Sequence, residues 1–109
     1  VSFMKKILIV LLFFPSMVYA DCSENSCTNV LISRLYVTVN GNTVISTSGD
    51  ESKLNCDAGN KGYIYLDPDS KNYSSTYSLL LAAHINAQRL WVRLSDSGAC
   101  NLIYVVSDK

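Results

Sequence analysis

The chain has 109 residues, with nine basic and nine acidic side chains and a formal net charge of zero, and its basic residues are not clustered. Nucleic-acid binding announces itself as a positive patch or stripe, so that class is excluded. A chain this short makes one domain with a modest core, which commonly needs disulfides to be secure.

Residues 1–20 do not read as part of a fold. Lys5 and Lys6 give a positive start, residues 7–14 are an unbroken apolar run, Pro15 interrupts it, and Val18 and Ala20 occupy the two positions a signal peptidase reads. A spanning helix needs roughly 20 apolar residues, so this pattern predicts a cleaved signal peptide over 1–20. The remaining residues, 21–109, form one small β-rich domain, secreted or periplasmic, with no membrane span after cleavage. That domain holds seven basic and nine acidic side chains.

All four cysteines, Cys22, Cys27, Cys56 and Cys100, fall in the exported part. An even count in a short exported chain predicts two disulfides. Zinc is the competing reading, but no two cysteines stand two residues apart and His84 is the sole histidine, so no metal or other cofactor is expected. The expected pairs are Cys22 with Cys27, as a small terminal loop, and Cys56 with Cys100, joining the middle of the sheet to its last strand.

Residues 30–39 are rich in β-branched and aromatic side chains and predict the first strand, with Leu31, Leu35, Val37 and Val39 on one face. Asn40-Gly41 is a strong hairpin signal, and residues 42–47 return as the second strand. A polar loop over 48–52 and a turn over 58–62 precede a short third strand at 63–66. Ser74 or Ser75 can cap a helix that runs to about residue 87 or 88. Tyr77, Leu80, Leu81 and His84 form its apolar stripe, widened by Leu79, Ala82, Ala83 and Ile85. Residues 89–94 alternate Leu90, Val92 and Leu94 against Trp91 and Arg93, and residues 100–106 close the chain as the fifth strand.

The fold class is therefore mainly β with one α-helix, disulfide-stabilised, in the order β-β-β-α-β-β. That is the element order of a small five-stranded Greek-key barrel of the oligonucleotide/oligosaccharide-binding (OB) kind, and an open antiparallel sheet with one helix packed on it gives the same string. Closure removes exposed strand edges, which favours the barrel.

No catalytic constellation is legible, and the reading is of a non-enzymatic chain. The chain has no GxSxG elbow and no glycine-rich phosphate loop, and the acidic pairs Asp50-Glu51 and Asp67/Asp69 flank turns, where aspartate caps backbone amides. The aromatic set offers more. Tyr36, Tyr63, Tyr65, Trp91 and Tyr104 lie on predicted strands, and flat rings with a polar tip suit sugar recognition and protein interfaces, although ordinary half-buried sheet positions take them too. The candidate ligand-binding residues are Tyr36, Tyr63, Tyr65, Trp91 and Arg93, with Arg34 as a further donor.

The run STYSLLLAAHINAQRLWVRL, the order of elements and the exported disulfide-bearing chain together resemble the binding subunits of bacterial subtilase-cytotoxin and pertussis-like toxins. The run CTNVLISRLYVTVNGNTVI with LNC and GYIYL also resembles small exported proteins of Gram-negative bacteria. The toxin resemblance implies an OB-like barrel that assembles into a homo-oligomeric ring and binds cell-surface glycans. No sugar-binding residue of that group maps onto a numbered position here, and the chain is shorter. The alternative is a monomeric periplasmic or secreted inhibitor that meets a protein partner with its loops, such as 48–52.

Overall fold

Leu31 divides what the sequence presents as a single first strand. In the computed structural model, which describes residues 19–108, β2 covers Ser26–Val30 and β3 covers Ile32–Val37, with Leu31 alone between them. The bend has local causes. Asn29 takes a left-handed φ of 55°, and the pairing registers of β2 and β3 both shift near the joint. Such irregularities are how a strand turns a corner from one sheet into another. Leu31 keeps its backbone bonds at the corner: its N–H donates to Ser48 Oγ at 2.9 Å, and its carbonyl accepts from Ser48 N at 2.9 Å.

A further strand, β1 (Asp21–Ser23), precedes β2. The terminal segment expected as a loop is a hairpin in which Cys22 pairs with Cys27 across the strands, and the two are disulfide-bonded. The remaining elements are β4 (Thr43–Thr47), β5 (Ile64–Leu66), helix α1 (Tyr73–Asn86), β6 (Leu90–Leu94) and β7 (Leu102–Val106). They form two antiparallel sheets, ordered β1-β2-β6-β7 and β3-β4-β5.

Over the described residues the chain is thus mainly β with one α-helix and two disulfides, but with seven strands rather than five, and two sheets rather than one closed barrel. On one side the sheets share the continuous run through Leu31. On the other, β5 and β7 meet at a single parallel bridge, Tyr65 with Asn101, and one backbone bond, Tyr65 N to Cys100 O at 2.8 Å. The physical reason is the shortness of β5. Asp67 turns the chain away from the strand line by accepting from Asp69 N at 2.9 Å, and Pro68 has no N–H to offer a ladder.

The core lies between the sheets and under α1, built from Val30, Ile45, Ile64, Leu80, Leu90, Val92 and Leu94 with both disulfides. Cys56–Cys100 ties the segment before β5 to the lead-in of β7, beside the Asp57–Ala99 bridge. The helix starts one residue ahead of the expected serine caps, and Asn72 precedes it without a side-chain cap bond. Its end is conventional: Ala87 is left-handed at φ 51°, and Gln88 N donates to Ala83 O at 2.9 Å. Its buried stripe is narrower than the sequence suggests. Leu80 and Ala83 are buried, whereas Ile85 is 70% exposed. His84 meets β3 through Nδ1 and the Ile32 carbonyl at 2.7 Å; a carbonyl only accepts, so Nδ1 carries the proton. Among the described residues no helix is long and apolar enough to cross a membrane, and the expected signal peptide lies almost wholly outside them.

Candidate ligand-binding face

Strand β4 runs down the middle of the three-stranded sheet, and all five of its residues are buried. In its register, Val44 pairs with Tyr36 of β3 on one side and with Tyr65 of β5 on the other. The three therefore form one cross-strand row on a common face. Val44 is 2% exposed while the flanking tyrosines are 36% and 38% exposed, so the two rings shield the valine and show their outer surfaces to solvent.

Period two places the rest of the face. Arg34 lies two residues before Tyr36, and its partner on β4 is Ser46; Tyr63 lies two before Tyr65. The Tyr36 and Tyr63 rings meet edge to face, with centroids 5.6 Å apart, and Arg34 Nη1 donates to the Tyr63 hydroxyl at 3.2 Å. Desolvation of the Tyr36 hydroxyl, followed by the neighbouring Tyr63 and Tyr65 phenols, pushes Tyr36 above the ordinary tyrosine value, with Arg34 opposing. At neutral pH Tyr36 is thus a hydroxyl, able to donate and accept.

A polar cleft of about 590 Å³ opens beside this face, lined by Ser33, Arg34, Ser46, Thr47, Glu51 and Lys61. A smaller one of about 280 Å³ lies on the other side of Lys61, against Tyr63, Tyr65 and Asp57. Glu51 forms the inner wall of the larger cleft. It is buried, and its Oε2 accepts from Thr47 N at 2.8 Å and from Thr47 Oγ1 at 3.2 Å. Gly62 rests against the same carboxylate, just ahead of Tyr63. Within the loop 48–52, Glu51 is docked against β4, while Ser48, Asp50 and Ser52 are exposed. Asp50 caps the short 3₁₀ turn Glu51–Lys53; its Oδ1 accepts from Ser52 N and Oγ, which holds the carboxyl below its ordinary value.

The structure divides the five candidate residues between two places. Tyr36, Tyr63 and Tyr65 come together with Arg34, whereas Trp91 and Arg93 stand on β6 in the other sheet. There the Trp91 and Tyr104 rings are 5.5 Å apart, and Arg93 pairs with Tyr104. Trp91 also floors a cleft of about 620 Å³ with Leu90 and Val106, rimmed by Arg89 and Asp108. Arg89 is committed there, donating from Nη1 to Asn29 O at 2.8 Å.

Sequence reasoning read Glu51 only as part of a turn-flanking acidic pair and did not reach Ser46 or Lys61. The one available signal was Gly62 directly before Tyr63, a glycine in a turn that leads into a strand. Among the described residues no group of three or more His, Cys, Asp or Glu side chains converges as a metal site would. A scan against protein-family models finds no match, and a search of curated proteins finds none either.

Proposed function

We propose that this chain is an exported, non-enzymatic binding module, and that the face of Tyr36, Tyr63, Tyr65 and Arg34 receives a cell-surface glycan. One observation carries the reading: three tyrosines share one exposed face, two of them in a ring contact of 5.6 Å, beside a cleft of about 590 Å³ with polar walls. Rings of this kind offer flat apolar area to the C–H faces of a sugar, and their hydroxyls with Arg34 and Ser46 offer both donors and acceptors to its hydroxyls. The sheet orders β3-β4-β5 and β1-β2-β6-β7, with the isolated Tyr65–Asn101 bridge between them, support an OB-like reading of a partly open arrangement. Ring assembly, as in the toxin subunits that the sequence resembles, belongs to the same proposal.

The test is a glycan array probed with oxidised residues 21–109, with Tyr65→Ala and Trp91→Ala alongside and the mass in solution measured by light scattering. Binding lost in Tyr65→Ala and kept in Trp91→Ala supports the reading. An array without a binder removes it.

The second reading, an inhibitor or interaction protein, is favoured by a different feature. The tip of the β3–β4 hairpin, residues 38–42, is tied by Thr38 N to Asn42 O at 2.8 Å and presents Val39 fully exposed. A monomer whose partner is lost on Val39→Asp would establish that reading.

A further inference from the structure

We propose that Asn40 is a self-modifying site: its side-chain amide is lost through attack by the Gly41 backbone nitrogen, and water leaves aspartate or isoaspartate at the tip of the β3–β4 hairpin. The reaction needs no partner but water, and it stands or falls independently of glycan binding.

Sequence and tip geometry supply the argument together. Of the nine asparagines in the chain, Asn40 alone precedes a glycine. A side chain on the following residue crowds that residue's own nitrogen, and glycine has none. A Cβ built on Gly41 would meet nothing within 4 Å, so no neighbouring element shields the nitrogen either. Asn40 and Gly41 are both exposed, and the Asn40 amide has no hydrogen bond among the described residues. Other asparagine amides are engaged: Asn25 donates to Asp96 Oδ1, Asn29 to Tyr19 O and Asn101 to Ala99 O.

The hairpin tip gates the attack. In the closed turn Gly41 N donates to Thr38 O at 3.1 Å, Thr38 N to Asn42 O at 2.8 Å, and Asn42 N to Thr38 Oγ1 at 3.2 Å. These bonds keep the Gly41 nitrogen turned toward Thr38, so the reaction belongs to the opened tip. Opening costs little, because residues 39–42 are all exposed and bury no side chain that would hold them closed.

In the opened tip the Gly41 nitrogen gives up its proton and bonds to Cγ of Asn40, closing a cyclic imide. The Cγ–Nδ2 bond breaks, and Nδ2 leaves as ammonia with a proton in place of the lost bond. Water then adds to either imide carbonyl. Breaking the bond from nitrogen to Cγ gives aspartate, and breaking the bond from nitrogen to the main-chain carbonyl carbon gives isoaspartate. No oxidant or reductant takes part. Both products put a carboxylate beside the fully exposed Val39, and isoaspartate adds a methylene to the main chain, which breaks the register of the 38–42 turn. A protein contact made through Val39 would weaken as the chain ages.

The test holds oxidised residues 21–109 in mildly alkaline buffer at physiological temperature. Trypsin cuts after Arg34 and Lys53, and the fragment 35–53 is followed by mass spectrometry with fragmentation that separates aspartate from isoaspartate. The expected result is conversion at Asn40 ahead of every other asparagine, with isoaspartate the larger product and a rate that rises with pH. Asn40→Gln should abolish conversion there while Asn42, in the same fragment, stays intact. Thr38→Ala removes one bond of the closed tip and should convert about two- to tenfold faster, the effect of one lost hydrogen bond on the opening equilibrium. Its amide spectrum outside residues 38–42 should match that of the parent protein. Another asparagine converting first, aspartate without isoaspartate, or a folded Thr38→Ala variant that converts no faster would overturn the proposal.

Discussion

A Cβ built on Gly62 would stand 2.8 Å from Cδ and Oε1 of Glu51, and Gly62 has a φ of +66°. The glycine is therefore required twice, by its left-handed backbone and by the carboxylate packed against it. Gly62→Ala should destabilise by about 2–4 kcal/mol, combining backbone strain with displacement of Glu51. Urea denaturation at neutral pH measures this, and a loss within about 0.5 kcal/mol would show that the turn relaxes freely.

Glu51 itself should tolerate little change. Glu51→Ala leaves the buried Thr47 N–H and hydroxyl without their acceptor and should cost about 1–3 kcal/mol. Amide exchange at Thr47 should accelerate in the same variant. An unchanged Thr47 amide would show that another group satisfies it.

The two disulfides should differ in weight. Cys56–Cys100 spans 44 positions and Cys22–Cys27 spans five, so chain-entropy reasoning gives about 4 kcal/mol for the first and about 2 kcal/mol for the second. Paired Cys→Ser variants compared in urea test this order. Equal losses would mean that native-state packing around the sulfurs outweighs loop closure.

Tyr36 and Asp50 have opposite pH signs. The folded-state value of Tyr36 is raised, so the stability it contributes is full below the ordinary tyrosine value, near about 10, and is lost as pH rises through the folded value. Asp50 is lowered, so its contribution is full above the ordinary carboxylate value, near about 4, and is lost as pH falls through the folded value. In an ultraviolet titration Tyr36 should ionise later than ordinary tyrosine, and Tyr63→Phe should return it toward normal. On the acid side, Ser52→Ala should raise the Asp50 carboxyl, measured by side-chain NMR. Absence of either movement removes the corresponding contact from the account.

Periodicity made most of the ladder legible. Leu90, Val92 and Leu94 point inward with Trp91 and Arg93 outward, and the cysteines pair as their spacing suggests. The corner at Leu31 was hidden because the apolar run Val30-Leu31-Ile32 continues unbroken through it, and the left-handed Asn29 and the bond to Ser48, distant in sequence, create the bend. The hairpin of β1 was hidden because a disulfide rather than an apolar face holds it. At the Asn40-Gly41 turn, Asn40 does not take positive φ; Gly41 alone does, at 94°, after a turn closed by Gly41 N to Thr38 O. The grouping of tyrosines depends on β3-β4-β5 register, which local sequence does not encode, and so Trp91 and Arg93 were joined to rings that lie on another sheet.

In the proposed function the tyrosine face, not the Trp91 cleft, takes the glycan. The most direct measurement is an aromatic NMR titration of oxidised residues 21–109 with the glycan selected on the array. The expected result is saturable shifts of the Tyr36, Tyr63 and Tyr65 rings, an unmoved Trp91 indole N–H, and affinity about tenfold weaker in Tyr65→Ala, equivalent to about 1.4 kcal/mol. A shifting Trp91 indole with silent tyrosines would contradict it.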